Sequence, residues 1–157
     1  MRETIFTVST DREQVELFCN WSEKYKTDFN SPELKQFQDM TLESVCKFLI
    51  KNYHTESGEI ILRPSIYYQM TKDIGHGLDC DDAFIFMTAL MRSVNIPKEY
   101  ILVCEASETV GGDFVHIFAA LETRKKIIWL DNLPGCKFNR LDYPKNKLRV
   151  TRFSEYV

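Results

Sequence analysis

The segment AFIFMTALMRSV, residues 83–94, is apolar around nearly the whole circumference of a helix. A helix with one apolar stripe lies on a core, whereas one that is apolar all round must lie inside it. The chain therefore has to cover this helix on several sides, and that requirement governs every other assignment. Asn95 suits the left-handed position that follows a helix end and Pro97 prevents continuation, so the helix is expected to stop near Val94. Immediately before it, GHGLDCDDA (residues 75–83) crowds the Cys80 thiol and the carboxylates of Asp79, Asp81 and Asp82 against the helix start.

Part of the cover is helical. Thr10-Asp11-Arg12-Glu13 has the spacing of a capping box, which predicts a helix turning Val15, Phe18 and Cys19 inward; Thr4 to Ser9 before it reads as a short strand. Ser31-Pro32-Glu33 reads as another helix start. From Thr41 onward, Leu42, Val45, Cys46, Leu49, Ile50 and Tyr53 recur at the i, i+3, i+4 spacing of an amphipathic stripe. His54 to Gly58 read as a loop, and Ile60 to Tyr68, interrupted by Pro64, fits either a strand or a helix.

The remaining cover is β-like. Tyr100 to Cys104, Phe114 to Leu121 and Lys126 to Leu130 are rich in β-branched and aromatic residues. Helices followed by antiparallel strands predict the α+β class, with a central buried helix packed on a C-terminal sheet. If Glu122 to Lys125 form a four-residue loop, Leu121 faces Lys126 and His116 faces Asp131. Directly opposed residues share a face with Cβ atoms about 4.5–5.5 Å apart, so an imidazole would meet a carboxylate. A slip of one residue would part them.

Two chemistries compete at the helix start. The three acids offer hard oxygen ligands, but the further ligands and closing Glu of a calcium loop are missing, and no paired spacing supports zinc. No metal or cofactor is expected. A thiol at a helix N-terminus is favoured as thiolate by the backbone N–H groups and the helix dipole, and a nearby imidazolium would favour it further. Cys80, His116 and Asp131 then stand in the order nucleophile, base and orienting acid. The alternatives remain a core imidazole for His116 and a turn residue for Asp131. Asp79, Asp81 and Asp82 oppose ionisation of the thiol unless they point away or pair with cations, and Asp82 reads as a group capping free N–H donors.

GLDCDDAFIFMTALMRSVNIP resembles the cysteine segment of the transglutaminase-like superfamily, DFVHIFAAL its histidine strand and WLDNLPG its aspartate strand. The likeness spans roughly Thr41 to Gly135, with Asn95 where the family usually has glycine. GEIILRPSIYYQ followed by DCDDA is similar to small members encoded in phages and prophages. The resemblance implies a papain-like core, a triad of Cys80, His116 and Asp131, and acyl transfer on amide bonds through a thioester. It leaves an oxyanion side chain unassigned, with Tyr68, Gln69 and His76 as candidates. His76, Gly77 and Trp129 are expected to line the substrate groove, although His76 also reads as an exposed loop residue and Trp129 as core. The other class consistent with these residues is an inactive domain of the same fold serving binding or assembly.

At 157 residues, 44% of them hydrophobic and 27% charged, the chain is expected to form one domain, residues 1–157. No run is long enough for a membrane helix and MRETIFTVSTDRE lacks a signal-peptide core, so a soluble, cytoplasmic protein is expected. A net charge of −3 with scattered cations argues against nucleic acid. The expected partner is a peptide or protein amide substrate, and the oligomeric state is open. The five cysteines form no C-x-x-C pair and read as separate thiols, with Cys19, Cys46 and Cys104 in the core and Cys136 in a loop.

Overall fold

In the computed structural model, which describes residues 3–4, 11–53, 60–73 and 79–157, the apolar segment after Cys80 is enclosed by helices on one side and a sheet on the other. The elements in chain order are β1 (Glu3–Thr4), α1 (Asp11–Tyr25), α2 (Leu42–Lys51), β2 (Ile60–Ile61), α3 (Pro64–Asp73), α4 (Cys80–Ser93), β3 (Ile101–Ser107), β4 (Phe114–Glu122), β5 (Ile127–Leu130) and β6 (Leu148–Arg152). Every residue of α4 from Asp82 to Met91 is buried. β1 and β2 pair with each other, and the other four strands form one antiparallel sheet in the order β5-β4-β3-β6. The class is α+β.

Aromatic packing closes the helical side. The Phe86 ring meets Phe29, Phe37 and Tyr67 at centroid distances of 5.0, 5.1 and 5.0 Å, and Phe48 at 5.8 Å. α1 turns Val15, Phe18, Cys19 and Ser22 inward, and the Ser22 hydroxyl lies 2.7 Å from that of Thr88 on α4. Each hydroxyl also has the carbonyl four residues earlier within reach, so whichever one donates across the pair, the other's hydrogen has a backbone acceptor and no buried donor is stranded between the two helices. α2 begins at its Thr41 cap, whose hydroxyl accepts from the Ser44 N–H, and buries Val45, Cys46 and Leu49.

Several local expectations change. Ile5 to Thr10, which hold most of the expected first strand and the expected cap of α1, lie outside the described residues, as do His54 to Gly58. Ser31-Pro32-Glu33 opens no α-helix; a turn and a 3-10 segment, Lys35–Asp39, follow, and only Phe37 of that segment is buried. At Ile60 to Tyr68 both readings hold in succession: a two-residue strand, then α3 with Pro64 as its first residue, where the absent N–H has no helical partner to lose. The Asp28 carboxylate accepts two bonds from Arg63, at 2.6 and 3.0 Å, and one from the Ser65 N–H at the start of α3. α4 ends at Ser93, and Asn95 takes the left-handed conformation with φ 65°. β6 has no counterpart among the expected strands; it pairs along β3 from Leu102 to Ala106.

The hairpin register also differs. Glu122 faces Ile127 and Thr123 bonds Lys126, so the turn holds only Arg124 and Lys125, and paired numbers sum to 249 rather than 247. The slip is two residues, which preserves the face each side chain occupies.

Candidate active site

His116 and Asp131 meet despite the changed register. Pairing of β5 with β4 stops at Ala119 opposite Leu130, and Asp131 lies just beyond that last pair. Its Oδ1 accepts from His116 Nε2 at 2.7 Å, with the two residues 9% and 3% exposed. The same oxygen accepts from the Leu133 N–H at 3.2 Å, so the turn role and the pairing role coexist in one side chain. The His116 ring stacks on Phe118, centroids 5.4 Å apart, and lies 6.0 Å from Tyr143. A cavity of about 480 Å³, lined by Ser107, His116, Leu133 and Tyr143, opens onto the imidazole.

Strand alternation decides which way the imidazole faces. Ile117 and Ala119 belong to the core that holds α4, whereas Phe118 and Ala120 belong to a second apolar cluster with Leu102 and Cys104. His116, stacked on Phe118, therefore projects from the outer face of the sheet. The bulge between β3 and β4, where Ala106 faces His116 but Ser107 faces Phe114, leaves Val115 unpaired just before it. Trp129, opposite Ala120, packs against the same outer cluster.

Cys80 approaches from the inner face. Thr123, Leu121 and Ala119 direct their amide groups toward β5, and Ile117 shares their parity. Because β5 has already ended, the Ile117 N–H is free to donate to the Cys80 sulfur at the start of α4. Among the described residues, however, the side-chain partner of the thiol is not His116 but Asp81, whose Oδ1 lies 3.7 Å from Sγ. Burial, and then the Asp81 carboxylate, push the thiol up to about 12, against the Ile117 N–H. The thiol is thus held protonated at neutral pH.

The acids at the helix start divide their roles differently from expectation. Asp79, not Asp82, is the cap: its Oδ1 accepts from the Asp81 N–H at 3.1 Å and the Asp82 N–H at 3.4 Å. Asp82 is buried with its Oδ1 unpartnered, and burial and Asp79 raise it well above the ordinary carboxylate range. Burial and Asp79 likewise raise Asp81 to about 7, opposed by the Cys80 contact and by His116. Asp81, His116 and Glu105 share a second, small cavity of about 170 Å³. Glu105, paired with Arg149, is raised to about 7 by burial and by Asp11.

Two expectations follow. Replacing Asp81 by asparagine removes the nearest negative charge from the thiol, so iodoacetamide alkylation of Cys80 at pH 8 should accelerate about tenfold or more, the effect of one unit of thiol pKa. An unchanged rate would show that burial alone holds the proton. The second concerns stability. Between about pH 4 and pH 7 the folded chain keeps protons at Asp81 and Glu105 that the unfolded chain has released, so these groups stabilise most at acid pH and lose that contribution as pH rises through about 7. Glu23, lowered to about 2 by Arg92, and Asp28, where Arg63 and Ser65 outweigh burial, act oppositely, and their contribution is lost only as pH falls below the ordinary carboxylate range. The urea midpoint is therefore expected to be higher at pH 5 than at pH 8.

The remaining candidates separate. His76 and Gly77 lie outside the described residues. Tyr68 sits in the aromatic core with its hydroxyl accepting from Gln36 at 3.0 Å, and Gln69 is exposed on α3. Two side chains near the pair escape the sequence reading. Tyr143 leans over His116, and the Cys136 thiol stands beside the Asp131 and Asp142 carboxylates, pushed up to about 12 by burial and by Asp131. Neither has a sequence signal beyond a tyrosine and a cysteine in a loop. Comparison of the chain with protein-family models, with curated proteins and with solved structures finds no match.

Proposed function

We propose that the chain is a cysteine-dependent hydrolase or acyltransferase acting on peptide or protein amides, built on a papain-like core of transglutaminase-like type. The observation that carries this reading is the buried hydrogen bond between His116 and Asp131, beside Ile117, whose backbone N–H acts on the Cys80 thiol. A carboxylate only accepts, so the imidazole hydrogen resides on Nε2 and the Nδ1 lone pair is left to take a proton. Protonation of Asp81 releases the thiol, which turns past the open edge of β4 toward His116.

The chemistry then balances in two halves. His116 takes the thiol proton, and the sulfur forms a bond to the amide carbonyl carbon while the carbonyl π pair moves to oxygen, facing the Cys80 backbone N–H. Collapse restores the carbonyl, breaks the C–N bond and gives the proton on His116 to the departing amine. Water, deprotonated by His116, cleaves the thioester and returns the proton to sulfur; an amine in its place gives a new amide.

A second reading, a non-catalytic domain of the same fold used in binding or assembly, as in a phage particle, is favoured by the contact that keeps the thiol protonated against Asp81. Intact-mass spectrometry after incubation with peptide and small amide libraries separates the two. A Cys80 acyl adduct, absent in Cys80→Ala, supports the enzyme. No adduct, together with alkylation kinetics indifferent to His116→Ala, supports the binding domain.

A further inference from the structure

At the end of β4 remote from His116, a cavity of about 650 Å³ lies between the β4–β5 turn and the segment that follows α4. Its apolar side is Ile96, Pro97, Tyr100, Leu121 and Ile127, with Tyr100 51% exposed. Its rim is the exposed turn carrying Arg124, Lys125 and Lys126. None of these three cations has an ion-pair partner among the described residues. The nearby Glu122 does not neutralise them, because Arg152 holds it at 2.8 Å. Glu122 lies six strand steps from His116, a span of about 20 Å, so this groove is distinct from the His116 cavity.

We propose that this groove binds an acidic peptide segment that carries one apolar anchor residue. The volume lies in the range of sites that take a few side chains or a small ligand. An aliphatic floor contributes through area removed from water and admits a leucine or aromatic anchor. Three uncompensated cations on a chain of net charge −3 create a local positive field that selects carboxylates and raises their rate of encounter. Single-stranded nucleic acid fits less well: base stacking needs aromatic platforms, the groove has one tyrosine, and the overall negative charge repels a polyanion. The inference does not depend on the chemistry proposed for Cys80.

The test uses the full chain and a fluorescein-labelled pool of short peptides with Asp or Glu around a single Leu, Phe or Tyr. Anisotropy should show saturable binding that weakens as salt rises from about 50 to about 300 mM. The double variant Arg124→Glu, Lys125→Glu should weaken it about tenfold or more, and Tyr100→Ala should weaken it with less change in salt dependence. Amide shifts on titration should concentrate in residues 96–100 and 121–127. The double variant alters only exposed turn residues, and an unchanged thermal midpoint confirms that it folds. The proposal is overturned if the pool shows no saturable binding, if basic or neutral pools bind equally, if the shifts map elsewhere, if oligo-dT binds more tightly than every acidic peptide, or if the groove is instead closed by self-association in sedimentation.

Discussion

Replacing His116 by alanine should lower the rate of thioester formation at Cys80 about 10³-fold near neutral pH, within the span that a positioned general base contributes. The argument runs from the proton. Burial and Asp81 hold the thiol near 12, so spontaneous ionisation at pH 7 supplies very little thiolate, and a base must remove the proton as the carbon–sulfur bond forms. On the proposed mechanism that base is His116, the one described imidazole, whose Nε2 Asp131 holds at 2.7 Å. The rate deficit should shrink as pH approaches the thiol's own ionisation, because hydroxide then does what the imidazole did, and that narrowing distinguishes a lost base from a damaged fold. Single-turnover acylation monitored by mass, across a pH series, reads both quantities. Equal rates for the parent and the variant at every pH would remove His116 from the mechanism. Asp131→Asn gives an independent check: its amide oxygen can still accept from the Leu133 N–H and from Nε2, but the negative charge that favours the imidazolium is lost, and the rate should fall between the two.

Replacing Phe86 by alanine should destabilise the fold by about 3–5 kcal/mol, the usual range for emptying a phenylalanine site in a core. Against a total of about 5–15 kcal/mol for ordinary domains, this is a large share. The position warrants the upper part of the range. Phe86 is 1% exposed and its ring contacts four others, from the segment after α1, the 3-10 segment, α2 and α3, so no single neighbour can move into the void without leaving another partner. The urea midpoint at unchanged slope measures the loss. Phe86→Leu, which retains most of the volume, should cost markedly less; equal costs would mean that ring geometry rather than filled space is what the site requires.

How far the sequence discloses this architecture depends on where each partner lies. α4 is legible because its composition alone demands enclosure, and its termination is written locally in Asn95 and Pro97. The hairpin turn is less so: Thr123-Arg124-Lys125-Lys126 lacks the Asn-Gly or Asp-Gly signal that fixes a two-residue loop, so a reading from sequence overestimates its length by two. The His116–Asp131 pairing survives because the error is even. β6 carries a legible alternation in Leu148-Arg149-Val150-Thr151-Arg152, but its arginines look like a solvated surface until their distant partners Glu105 and Glu122 are known. The competition among three adjacent acids for the α4 start is equally hidden. Once Asp79 caps the helix, Asp81 is turned onto the thiol, and only coordinates disclose which acid wins.

The strand order carries one more consequence. Both outermost strands are brief, four residues in β5 and five in β6, and β6 bears the two arginines already tied to acids of this same chain. A neighbouring molecule seeking to extend the sheet there would find little unpaired backbone and would have to dislodge bound guanidinium groups. Protection against fibrillar growth is thereby built into the margins of the sheet, independently of whatever chemistry its interior supports.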